Sequence, residues 1–191
     1  MTVWHWVRHG PTHEKAFVGW RDVPADLSDV AQIGRLNSAL PQEALLVSSD
    51  LIRASATADA VALGRERLPD DPGLREFNFG DWDGLTFDVV AERDPELSRL
   101  YWEEPGDVAP PGGESWNAAA ARIARVVDGM NAAHPDREII AVAHIGVILS
   151  QVALALTGSA TQALSHKIDN LSVTTLRFEG AWSVERINHV P

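Results

Sequence analysis

Residues 2–7, Thr-Val-Trp-His-Trp-Val, are dominated by β-branched and aromatic side chains and read as a strand, which Gly10-Pro11 brings to an end. Ser28 has the character of a helix N-cap, with helix expected to about Leu40 and Pro41 beyond it. Ala44 to Val47 is a short apolar run, hence a buried strand. Leu51 to Leu63 is alanine-rich with helical spacing and stops at Gly64. Pro69 to Gly84, with its Gly, Pro, Asp and Asn, reads as loop. A short helix follows from Thr86 to about Arg93, a second starts at Pro95, and Pro105 to Gly113 is again loop. Glu114 to Met130 places apolar residues at the spacing of a long helix. Glu138 to Ala143 is a further buried strand, leading into His144 and a helix to about Leu156. Ser172 to Phe178 and Trp182 to Ile187 form a hairpin about Glu179-Gly180-Ala181.

Strands alternating with helices predict a three-layer αβα fold, with a mainly parallel central sheet and all of residues 1–191 in one domain. In such sheets ligands bind beyond the carboxyl ends of the strands. That rule selects Arg8 and His9 at the end of the first strand, Ser48-Ser49 after the second, and His144 after the later one. The loop 69–84 is long enough to cover the same edge.

Composition narrows the function. Hydrophobic residues make up 45 % of the chain, enough for a core, and the net charge is −11. No nucleic-acid partner is expected, since such binding needs a basic surface to displace counterions. An anionic ligand would need a local cationic pocket. The chain has no Cys, which excludes disulfides, thiolate metal sites and a Cys nucleophile. The opening residues show no basic region followed by an apolar stretch, and no apolar run reaches membrane-spanning length, so no membrane partner and a soluble, cytoplasmic protein are expected.

The chemistry lies at the strand ends. Arg8, His9 and His144, with Arg53 one turn into the helix after Ser48-Ser49, supply two guanidinium groups and two imidazoles. Guanidinium forks match phosphate oxygens and keep their charge. A neutral His can attack phosphorus while a second donates to the equatorial oxygens. Glu76, in the covering loop, is suited to protonate a leaving oxygen. His5 and the Trp residues read as packing. His13 is a weak candidate for substrate contact. Trp20 and Arg21 sit on a loop near the first of these segments, where substrate contact and packing are both open for Trp20. Asn170 and Ser172 are either rim residues or turn formers. No spacing of His, Asp and Glu reads as a metal site.

These segments together resemble the histidine phosphatase superfamily, the phosphoglycerate-mutase-like proteins. Arg8-His9-Gly10-Pro11-Thr12 resembles its opening signature, and Ser48-Ser49-Asp50-Leu51-Ile52-Arg53-Ala54 its second motif. Leu74-Arg75-Glu76-Phe77-Asn78-Phe79-Gly80-Asp81-Trp82-Asp83-Gly84 is similar to its acid-bearing loop. Pro111-Gly112-Gly113-Glu114-Ser115 matches the start of its long helix, and Val142-Ala143-His144 its second catalytic histidine. The resemblance implies a phosphoglycerate-mutase-like fold and hydrolysis of a small-molecule phosphomonoester without metal or cofactor. It implies His9 as the phosphorylated nucleophile, with Arg8, Arg53 and His144 around the phosphoryl group. It further implies Glu76 as proton donor and Thr12 in the pocket. Lys15 stands where the family often has Asn and is counted as substrate-binding, supplying charge instead of an amide; Ile145 stands where Gly usually follows the second histidine, and Asp50 where Pro is usual. The runner-up within the family is a phosphoglycerate-type mutase. It is disfavoured because residues 85–113 are short and acidic where such mutases carry a long basic insertion. A non-catalytic phospho-ligand binder is disfavoured because each expected catalytic side chain is present.

Overall fold

The computed structural model describes residues 1–156 and 159–191. Along β1 (Thr2–Arg8) the side chains alternate between two covered faces. Trp4 and Trp6 stack on one face with ring centroids 5.0 Å apart, while Val7 enters the core on the other. β4 (Glu138–Ala143) is buried from Ile139 onward, as expected of a parallel strand covered on both faces. The described residues form one six-stranded sheet in the order β3-β2-β4-β1-β5-β6. β2 (Leu45–Ser48), β3 (Glu66–Arg67), β4 and β1 pair in parallel. β5 (Val173–Phe178) runs antiparallel to β1 and forms a hairpin with β6 (Trp182–His189).

Helices cover both faces. α5 (Trp116–Ala133) and α6 (Ile145–Ala155) pack Ile123, Val127, Val147, Ile148 and Val152 against the Trp4–Trp6 face. α1 (Val30–Ala39) and α2 (Ile52–Ala60) set Leu36, Ala54 and Ala58 against Leu46, Ile140 and Val142 on the other. This is the three-layer α/β arrangement expected. A third, smaller core joins Trp82 to α3 (Phe87–Arg93) and α4 (Pro95–Glu103) through Val90 and Tyr101.

Some element ends differ from the sequence reading. Asp29, not Ser28, caps α1, its carboxylate accepting from the Gln32 N–H; Ser28 instead donates its own N–H to Asp26. Two adjacent residues of equal capping ability leave the choice to loop geometry. α5 begins at Trp116, because the Ser115 hydroxyl caps it through the Ala118 N–H at 3.1 Å. The loop 69–84 contains two short 3-10 turns, Pro72–Leu74 and Gly80–Trp82. The two-residue β3 and the five-residue α7 (Ala160–Leu164) were not expected; both are too short to show a period.

Parallel pairing levels the carboxyl ends. Arg8 lies opposite Ala143, and Ser48 opposite Val142. The His9 N–H donates to the Ala143 carbonyl at 3.0 Å, so the residues just past β1 and β4, His9 and His144, are neighbours. Among the described residues no helix is long and apolar enough to cross a membrane.

Candidate active site

The His9 ring is buried, with Nδ1 2.7 Å from the carbonyl oxygen of Gly10. A carbonyl only accepts, so Nδ1 carries the proton and Nε2 keeps its lone pair. Burial, reinforced by the charges of Arg53 and Arg8, lowers the pKa of His9 from 6.5 to about 3, so the ring is neutral at physiological pH. The His144 ring lies 5.1 Å away between centroids and is fully buried. Burial, and then the proximity of His9, hold it well below the ordinary histidine range. Neither of its ring nitrogens has a hydrogen-bond partner among the described residues. A buried polar group without a partner is costly, and a ligand oxygen would satisfy it.

Arg8 donates from Nη1 to the Ile168 carbonyl at 2.6 Å, and Arg53 donates from Nη1 and Nη2 to the carbonyls of Arg21 (3.0 Å) and Gly19 (2.7 Å). In both, the buried Nε has no partner among the described residues. Gly10 and α2 are tied by Thr57, whose hydroxyl accepts from the Gly10 N–H at 3.0 Å and donates to the Arg53 carbonyl at 2.7 Å. Asn170 donates to the His9 carbonyl at 2.8 Å, which settles its place beside the first motif.

Glu76 is buried at the other side of the site. Its carboxylate accepts from the N–H groups of Phe77 (2.9 Å) and Gly146 (3.2 Å). Burial raises its pKa, against the opposing pull of these hydrogen bonds and of Arg53 and Arg8. Gly146 is needed here, since a Cβ at that position would strike Glu76 Oε1 and the Phe77 ring. Behind Glu76 stands Arg122 of α5, which the sequence reading did not single out. It donates to the carbonyls of Gly73 (2.9 Å), Arg75 (2.9 Å) and Glu76 (3.2 Å) and forms a bidentate pair with Glu114. Trp20 also donates to the Glu76 carbonyl, at 2.7 Å, with the Arg75 guanidinium 5.1 Å from its ring centroid. Asp50 grips Arg75 through two bonds of 2.7 and 2.6 Å. The residue that departs from the family's Pro is therefore bonded to the neighbour of Glu76.

Above these groups opens a cavity of about 620 Å³. Arg8, His9, Thr12, Glu76, Ile145 and Gly146 line its inner end, while Arg53 and His144 are buried outside its lining. Lys15 is exposed and is not among the lining residues. The structure thus brings together Arg8, His9, Thr12, Arg53, Glu76 and His144 and leaves Lys15 apart.

Several known proteins are similar to this chain. The model of the histidine phosphatase superfamily (branch 1) matches residues 5–190. A bifunctional protein of Mycobacterium tuberculosis is 37 % identical over 175 residues, which are 90 % of this chain and 46 % of that protein; the chain spans about half the length of this relative. The glucosyl-3-phosphoglycerate phosphatase of the same organism is 35 % identical over 197 residues, covering 93 % of this chain and 85 % of the relative. The native structure of mycobacterial glucosyl-3-phosphoglycerate phosphatase superposes with a TM-score of 0.86 at 30 % identity over 99 % of both chains. Bacillus stearothermophilus YhfR superposes with a TM-score of 0.90 at 27 % identity, over 100 % of this chain and 98 % of that one. With the family model covering nearly its whole length and the site residues gathered at one sheet edge, the chain belongs to the histidine phosphatase superfamily.

Proposed function

We propose that the protein hydrolyses a small phosphorylated metabolite in two steps through a phosphohistidine at His9. The observation that carries this reading is the pairing of a neutral His9 with Nε2 free against a buried His144 with both nitrogens unpartnered. In the first step Nε2 of His9 forms the N–P bond, the P–O bond to the alcohol breaks, and Glu76 gives its proton to the departing oxygen. Arg8, Arg53 and His144 meet the charge on the phosphoryl oxygens. In the second step Glu76, now a carboxylate, takes a proton from water as that water attacks phosphorus, and phosphate leaves His9. Thr12 lines the phosphoryl end of the cavity. Lys15 we now leave out of the binding set, because it is exposed and away from that lining.

Hydrolysis is favoured over mutase transfer by the cover. Residues 85–113 give the cavity Tyr101, Trp102 and Pro105 and no cation that would retain a second phosphate. The same reading takes residues 1–191 as one domain. It places the protein in the cytoplasm, which the lack of cysteine supports. The related glucosyl-3-phosphoglycerate phosphatase supports hydrolysis of a phosphorylated metabolite.

Rapid quenching with radiolabelled p-nitrophenyl phosphate should trap acid-labile, base-stable label on the protein. Label that persists on the His9→Ala variant would falsify the assignment of the nucleophile.

A further inference from the structure

The cavity changes character with distance from His9. Apart from the charged residues its wall is mainly Phe17, Phe79, Tyr101, Trp102, Trp116, Leu149 and Leu164. Several of these rings form one continuous surface. Phe17 stacks on Trp102 at 5.8 Å between centroids, with the planes 15° apart, and meets Phe79 at 5.2 Å; Tyr101 packs edge-on against Trp102 at 4.8 Å. Ile145 adds another apolar side chain to the cavity lining.

Charge in the outer cavity is as informative as shape. Away from Arg8, His9 and Glu76, the titratable lining groups are Glu14, His166 and the Tyr101 phenol. Glu14 is ion-paired to Arg21 at 3.0 Å, and burial raises the phenol's pKa, so it stays neutral. The acidic residues of the cover do not line the cavity. Glu96 and Glu103 are paired with Arg99 on the outer face of α4, while Tyr101 and Trp102 of the same helix are the residues turned inward. A carboxylate or second phosphate on the alcohol side of a substrate would therefore be desolvated against aromatic rings, with no Lys or Arg other than Arg8 among the described lining residues to meet its charge. That is unfavourable, whereas a flat apolar ring would gain by burial.

We infer that the substrate is the monophosphate ester of an uncharged, apolar, ring-bearing alcohol, selected by the wall of Phe17, Phe79, Tyr101 and Trp102. This rests on the phosphatase reading and specifies its leaving group. It separates this chain from a relative named for a phosphoglycerate substrate, because no Lys or Arg other than Arg8 lines the cavity among the described residues.

Leaving groups of similar acidity give the fair comparison. The wild-type protein should hydrolyse 2-naphthylmethyl phosphate with kcat/KM about a hundredfold above that for glycerol 1-phosphate or 3-phosphoglycerate, the scale set by burying a ring instead of desolvating polar groups. Trp102→Ala should shrink this ratio by about tenfold, and Trp102→Phe should restore most of it. Calorimetric binding of 2-naphthylmethylphosphonate to the wild-type protein tests the same inference without turnover or mutation; it should bind tighter than the phosphonate analogue of glycerol phosphate. Equal or better kcat/KM for the polar esters, or tighter binding of the polar phosphonate, overturns the inference and leaves the phosphatase reading standing. Selective phosphonate binding with no phosphate release from any ester, p-nitrophenyl phosphate included, would instead overturn the phosphatase reading and uphold the selectivity of the cavity.

Discussion

Glu76 and His9 illustrate how burial alone assigns opposite tasks to two side chains. Desolvation disfavours the charged form of each, lowering the pKa of the imidazole to about 3 and raising that of the carboxyl. These are the directions that the nucleophile and the acid of the proposed mechanism need. Two pH effects follow. His9 is neutral above about pH 3, so it contributes no acidic limb to the activity profile in the accessible range. Glu76, with its pKa raised, sets an alkaline limb: kcat/KM for an alkyl phosphate should fall as the carboxyl ionises. Glu76→Gln should slow the alkyl ester by about 10²–10⁴-fold, the usual worth of a general acid, and flatten that limb. Its effect on p-nitrophenyl phosphate, whose leaving group needs no proton, should be much smaller. Equal losses on the two esters would mean that Glu76 positions substrate and does not protonate it.

The acid-bearing loop has little regular structure of its own, so its precision comes from its supports. α5 supplies Arg122, whose guanidinium donates to the loop carbonyls of Gly73, Arg75 and Glu76, and Glu114, just before that helix, accepts from the Asn78 N–H at 2.9 Å. The Pro-Gly-Gly turn before α5 lies directly against the loop, backbone to backbone. Gly80, at φ +51°, sits so close to Pro111 and Gly113 that a Cβ would collide with both. Arg122→Met should remove the donor to the Gly73 and Arg75 carbonyls, while Trp20 still serves that of Glu76; an unsatisfied buried group costs about 1–3 kcal/mol, so the melting temperature should fall. It should also lower kcat for alkyl phosphates by about 10- to 100-fold, as misplacement of a catalytic group does. The telling measurement is the dependence of rate on leaving-group pKa. A steeper dependence in Arg122→Met marks a residue that positions Glu76; a uniform loss across esters would mark a merely structural one. α4 divides its labour similarly, with the Arg99 ion pairs outward and Tyr101 and Trp102 inward.

For the molecule as a whole, gathering two neutral histidines inside an acidic protein has a cost in acid. An unfolded chain takes up protons on His9 as pH falls through 6.5, while the folded chain does so only near 3; His144 behaves in the same direction. Stability therefore decreases with falling pH across that window, because the unfolded state binds more protons there. Glu76 works the other way, holding its proton more tightly when folded, but it is one group against two. The melting temperature should drop between pH 6.5 and 4.5, and its slope against pH should be shallower for His9→Ala than for the wild type. Parallel slopes would show that His9 does not titrate as described. Much of this protein was already legible before folding was considered. Hydrophobic periodicity identified the main strands and helices, since one buried face leaves a regular trace in the chain. The rule that ligands gather at strand carboxyl ends picked out Arg8, His9 and His144, because the motif residues adjoin the strands that carry them. Sequence reading missed β3 and α7, which are too short for a period, and Arg122, an ordinary charged residue within a helical pattern until a loop distant in sequence folds over it. Lys15 is counted with the binding residues from the family position it occupies, whereas its side chain is exposed. The acidity of residues 85–113 suggested a charged cover, yet the side chains facing the cavity are aromatic. Which face of α4 points inward depends on the core it shares with Trp82 and Phe17, and such long-range packing leaves no signature in local spacing.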